Sequence, residues 1–219
     1  MKRQELAAAV RAALVQFRSA ISDQIETQEI VGRYGGIENK FEAAFKAQVG
    51  AKGKKQPKCE EIGTKNYFPG RHDGSVDLVL SRKNRILTAF EFKAVRMPRK
   101  KANCFFDVGQ LTADYLRMAN ATAPEHAWVI AFVYGPLVDD ASSDGDLLRR
   151  FHNQMYVDTM SAIADGHFDD DRDTLRLDAT LALRWREPMV KISMQGEAFA
   201  VRVESGGAKA LGAICIEAK

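Results

Sequence analysis

The stretch Gly74-Ser75-Val76-Asp77-Leu78-Val79-Leu80, then Ser81-Arg82-Lys83-Asn84-Arg85, then Ile86-Leu87-Thr88-Ala89-Phe90-Glu91-Phe92-Lys93, reads as a β-hairpin. Apolar and polar residues alternate in both arms, as half-buried strands require. A three-residue turn at Lys83-Asn84-Arg85 suits Asn, which tolerates the left-handed backbone such loops need. Paired positions then sum to 168. Val76 falls opposite Phe92 and Leu78 opposite Phe90 on an apolar face. Asp77 falls opposite Glu91, and Ser75 opposite Lys93, on the other.

That register sets two carboxylates about 5 Å apart across the ladder, where they repel by roughly 3 kcal/mol at an effective dielectric near 20. A divalent cation held by both removes the cost, and hard oxygen ligands suit Mg²⁺. The plainer alternative is a solvated strand on which Lys93 neutralises Glu91 or Asp77. Glu-x-Lys is a weak triplet, present at 38–40, 91–93 and 217–219. The central copy differs from the others by lying on an apolar strand, opposite an aspartate and after Gly-Ser-Val-Asp.

Upstream, Leu6, Val10, Leu14, Phe17, Ile21 and Ile25 recur at helical spacing, which predicts an amphipathic helix over about 3–30. Arg11 interrupts its apolar run, so a signal peptide is not favoured. Gly32, Gly35 and Gly36 break the pattern, and a second helix near Ile37 turns Phe41, Ala44, Phe45 and Val49 inward. Downstream, a helix is expected from about Phe105 to Ala119, a buried strand at Trp128–Tyr134, a helix from Leu147 to about Ala164, and strands around 181–185, 190–194, 199–203 and 214–216. The order predicts an α/β (α+β) domain, a mixed sheet flanked by helices. One domain over 1–219 is expected, with a core at about 37–135 and a C-terminal elaboration at 139–219.

Val76-Asp77 followed by Glu91-Phe92-Lys93 resembles the PD-(D/E)xK nuclease superfamily, with its restriction-endonuclease-like fold. The order of helix with Glu, strand with Asp, strand with Glu-x-Lys, helix and strand is matched over slightly under half the chain. Val76 replaces the family's Pro, and the family strand before Asp77 has no clear counterpart. The resemblance implies a metal-dependent phosphodiesterase, a DNA endonuclease in restriction, defence or repair. Asp77, Glu91 and the Phe92 backbone carbonyl would hold Mg²⁺, or Mn²⁺ in its place. Lys93 would orient or deprotonate the attacking water. The family's helical acid maps to Glu38, one turn before Phe41 and two before Phe45, with Glu42 the alternative. Gln110 corresponds in part to a Gln-x-x-x-Tyr motif of some members. Asp114 stands where the Tyr belongs, and Tyr115 comes one position late. The resemblance also implies a nucleic-acid partner and allows a homodimer. A silent binding or interaction module on the same fold is the competing reading.

Charge is asymmetric. Residues 1–138 carry 22 Lys and Arg against 14 Asp and Glu, and residues 139–219 carry 10 against 15. Lys54, Lys55, Arg71, His72, Arg96, Arg99, Lys100 and Lys101 are the candidate phosphate contacts, although lysine-rich loops are commonly just solvated. Cys59, Cys104 and Cys215 lack disulfide or zinc spacing, so a reducing cytoplasm is the default. No apolar run is long enough to span a bilayer. The acidic run Asp169–Asp173 lacks the glycine and distal glutamate of a calcium loop and reads as solvated.

Overall fold

Alternation at 78–92 does build an antiparallel pair, and among the described residues that pair forms one edge of a sheet of seven strands. The computed structural model describes residues 1–26, 34–50, 59–63, 75–97, 114–115, 117–157, 165–169, 174–183, 190–204 and 209–218. In chain order these form α1 (Arg3–Glu26), α2 (Tyr34–Gln48), β1 (Leu78–Arg82), β2 (Arg85–Arg96), β3 (His126–Tyr134), the short α3 (Pro136–Asp139) and α4 (Asp144–Val157). They continue with β4 (Asp165–Asp169), β5 (Thr174–Leu183), β6 (Val190–Glu204) and β7 (Ala210–Glu217). Residues 114–115 and 117–119 are also helical. The sheet order is β1-β2-β3-β7-β6-β5-β4. The β2–β3 pair is parallel and the others are antiparallel, so the protein is a mixed α/β structure.

The hairpin keeps the expected register by a different route. Leu78 pairs with Phe90, Val79 with Ala89 and Leu80 with Thr88. The turn is not three residues long. Lys83 and Asn84 alone make it, at φ 50° and 63°, which is a two-residue type I′ turn. The ladder then shifts between Leu80 and Ser81, and Ser81 pairs with Ile86. Leu87 is therefore the extra residue of a β-bulge. A two-residue turn plus one bulged residue consumes as much chain as a three-residue loop, so the strands beyond the bulge align identically.

Helices cover both faces. On one, α1 and α2 set Leu14, Phe17, Phe41 and Phe45 against Phe90, Phe92, Ile130 and Phe132. The Phe41 ring lies 5.2 Å from that of Phe132, and the Phe45 ring 5.3 Å from that of Phe92. Each fully buried aromatic stabilises the packing by about 1.5–3 kcal/mol, which pins α2 across β2. On the other face, Leu147, Leu148 and Phe151 of α4 pack with Tyr115, Met118, Val129, Val133 and Ile214. β3 is buried from both sides, which explains its unbroken apolar run from Trp128 to Tyr134.

Several boundaries differ from expectation. Gly35 and Gly36 do not precede α2 but lie inside its first turn. The strands expected at 190–194 and 199–203 are one continuous β6, whose first part pairs with β5 and whose last part pairs with β7. β7 sits between β3 and β6, so residues 210–217 belong to the middle of the sheet and are no appendage. β4 was not anticipated, because Asp165-Gly166-His167-Phe168-Asp169 is poor in strand formers; among the described residues it is an edge strand with only β5 as neighbour. Residues 27–30, 158–164 and 170–173 lie outside the described residues. Among the described residues no helix is long and apolar enough to cross a membrane.

Candidate active site

β1 is much shorter than β2, and the site lies where β1 gives out. The ladder ends at Leu78↔Phe90, yet β2 continues to Arg96. Backbone N–H groups on that edge recur every second residue, and each left buried without a partner would be costly. Carboxylates serve them. Asp77 Oδ2 accepts from the Phe92 N–H at 2.8 Å, and Glu38 Oε2 accepts from the Ala94 N–H at 2.9 Å. The Phe92 carbonyl points to the same edge as its N–H.

Glu91 and Lys93 alternate with Phe92 and so project from the opposite face of β2 to the aromatic core. There they meet the helical segment that follows β2. Arg117 Nη2 lies 2.7 Å from Glu91 Oε1, and the same guanidinium contacts Asp114 Oδ1. Lys93 Nζ lies 3.0 Å from Asp114 Oδ2. Glu38 reaches the cluster because Phe41 and Phe45, on the same helical stripe, are buried against β2. Glu42 is held elsewhere: it is buried and paired with Lys46.

Four acids (Glu38, Asp77, Glu91 and Asp114) thus face two cations, Lys93 and Arg117. Burial raises the Glu91 pKa well above the carboxylate range, and the charge of Asp77 adds to it, while Arg117 works the other way. Burial likewise raises Asp114 and Glu38, with Lys93 opposing the rise in both. For Lys93, burial acts to lower the pKa, but the charges of Asp114, Glu38 and Glu91 outweigh it and the value is raised. Lys93 is therefore an ammonium in this arrangement. In that form it donates hydrogen bonds and positive charge, which favours the water-orienting role over the deprotonating one.

The donor set suits a hard divalent cation in chemistry and in sign. Glu91 Oε1 and Asp114 Oδ2 are both buried without an aligned hydrogen bond, so the ion pairs leave oxygen capacity unused. Among the described residues, no three His, Cys, Asp or Glu side chains are grouped as a ready-made cage. A cation here would rely on Asp77 and Glu91, the Phe92 carbonyl and water, with Glu38 as a further candidate.

Of the other expected site residues, Arg96 is half-buried at the end of β2, and by alternation points to the face away from Glu91 and Lys93. The structure does not bring it to the acids. Gln110, Lys54, Lys55, Arg71, His72, Arg99, Lys100 and Lys101 lie outside the described residues. Tyr115 is buried in the core, as its helical stripe suggests. Sequence reasoning noted Asp114 without giving it a site role, and passed over Arg117. Their signal was present: Asp114 stacks one turn after Gln110, and an acid and a base three apart on a helix share one face. Comparison with known proteins found no matching family model, no matching curated protein and no matching solved structure.

Proposed function

We propose that this protein is a Mg²⁺-dependent nuclease that hydrolyses phosphodiester bonds, with DNA as substrate and internal cleavage as the mode. The observation that carries the proposal is the convergence of Asp77, Glu91 and Lys93, with Glu38 arriving over the edge of β2, on one largely buried acidic patch. The order of elements supports a restriction-endonuclease-like core. It runs from a helix bearing Glu38, through an antiparallel pair bearing Asp77 and Glu91-Phe92-Lys93, and a helical segment, to a strand parallel to β2. Among the described residues no strand stands between α2 and Asp77, where the family has one.

In this reading Asp77 and Glu91 hold the cation, with the Phe92 carbonyl on the same edge. When bound, the metal activates water near neutral pH and polarises the phosphate. Lys93, held protonated, orients the attacking water and stabilises charge developing on phosphate oxygens. Asp114 keeps the ammonium in place. Glu38, half-buried and bonded to the Ala94 N–H, is the further acid that can orient water at the patch.

A second reading, a nucleic-acid-binding or interaction module without turnover, is favoured by one observation: each acid of the patch already has a partner within the fold. Purified protein should be incubated with plasmid, single-stranded and branched DNA and with RNA, in Mg²⁺ or Mn²⁺. Wild type is expected to cut, and Glu91→Ala and Lys93→Ala to lose cleavage while keeping their circular dichroism. Full activity in both variants ends the assignment. Binding that falls steeply with salt, without cleavage of any substrate, selects the second reading.

A further inference from the structure

Arg117 has no role in the chemistry just described, yet among the described residues it is one of the most buried cations. Its side chain is 10% exposed. Its Nη2 touches two carboxylates at once, Glu91 Oε1 at 2.7 Å and Asp114 Oδ1. Asp114 has a second cation, Lys93, 3.0 Å from its other oxygen. Glu91 has none besides Arg117 among the contacts described. The guanidinium therefore occupies the charge position that a divalent cation beside Glu91 would need, and Asp114 offers it a second place to rest.

We propose that Arg117 is the built-in counter-ion of the site, which holds Glu91 in place and shifts its pairing onto Asp114 when a divalent cation binds to Glu91. This rests on the nuclease reading above. Geometry makes the exchange small: both carboxylates are already in contact with one guanidinium nitrogen, so the side chain transfers its pairing without leaving the patch. Electrostatics makes it necessary. A guanidinium that kept its full pairing with Glu91 would stand next to a doubly charged ion at a site of low effective dielectric. Arg117 is thus a positioning residue. It keeps the buried acid paired when the metal is absent, at the cost of weaker metal binding.

The two partners of the exchange have opposite predicted effects on cation affinity, whereas an ion pair with no coupling to the cation would leave it unchanged. Mn²⁺ is the probe, followed by electron paramagnetic resonance and by the rise in melting temperature it causes, at mildly alkaline pH so that protons compete little. Arg117→Met, which removes the competing charge, is expected to bind Mn²⁺ about tenfold more tightly than wild type. Asp114→Asn, which removes the alternative resting place, is expected to bind it about tenfold more weakly. Arg117→Lys, which keeps the charge but loses the fork, is the variant to use if Arg117→Met does not fold, and its affinity is expected to lie above that of wild type. Weaker Mn²⁺ binding in the Arg117 variants, or equal binding in all of them, overturns the counter-ion role. If wild type binds Mn²⁺ and Asp77→Asn abolishes that binding, the metal site itself stands and only the exchange has failed. If wild type binds no Mn²⁺ at the patch, the nuclease reading fails and this inference fails with it.

Discussion

Replacing Glu91 by Gln separates an acid retained for function from one retained for stability. The carboxylate is 3% exposed as a residue and lies 2.7 Å from Arg117 Nη2. At an effective dielectric near 20 that pair attracts by roughly 6 kcal/mol. Against it stand repulsion from Asp77, whose carboxylate lies close enough to share a side-chain hydrogen bond with Glu91 and repels it by roughly 3 kcal/mol or more, and several kcal/mol for desolvating the acid. The gain and the costs nearly cancel. Arg117 also keeps Asp114 as a partner in the variant, so no buried charge is orphaned. Glu91→Gln is therefore expected to fold, with stability within about 1 kcal/mol of wild type near neutral pH.

The pH dependence gives the sharper test. The Glu91 carboxyl is raised, first by burial and then by Asp77. A raised acid contributes its full stabilisation below its unfolded value, and that contribution is lost as pH rises through the folded value. Glutamine has no such loss. Glu38 and Asp114 are raised too, but both proteins share them. In urea titrations at about pH 5 and about pH 8, the stability of the variant relative to wild type should therefore increase with pH, while cleavage is absent throughout. A variant less stable by about 3–5 kcal/mol at both values, the cost of breaking a buried structural pair, would refute the reasoning and make Glu91 a structural residue.

Three further outcomes test the frame that holds the patch. Gly212 lies on β7 under α4, where an added Cβ would come within 2.5 Å of Leu147 Cδ2 and 3.1 Å of Val133 Cγ2; Gly212→Ala should cost about 1–3 kcal/mol by overpacking, seen as a lower urea midpoint with unchanged slope. Phe41→Ala removes a fully buried ring from the α2–β2 contact. It should cost about 3–5 kcal/mol and loosen the protection of the Ala94 amide in hydrogen exchange, because Glu38 rides on the same helix. Lys83→Asn with Asn84→Gly installs the preferred pair for a type I′ turn at the two positive-φ positions. It should stabilise the protein by about 0.5–1 kcal/mol and leave cleavage unchanged.

Strand alternation is a local property, so the pairing of Leu78 with Phe90, the separation of Asp77, Glu91 and Lys93 from the phenylalanines, and the helical stripe from Phe41 to Phe45 were all legible in the chain. The turn was only half legible. A three-residue loop and a type I′ turn followed by a bulge at Leu87 leave the same register beyond them, so the pattern of apolar residues could not choose between them. What only the tertiary structure decided is how charges from distant segments share one patch. Asp114 and Arg117 look like an ordinary exposed ion pair on a helix until the path from β2 to the parallel β3 lays that helix over Glu91 and Lys93. The same holds for β7, whose residues come last in the chain yet pair with β3 in the middle of the sheet. Periodicity reports which side of an element is buried; it carries no information about which element buries it, because that choice is made by chain path and packing over the whole molecule.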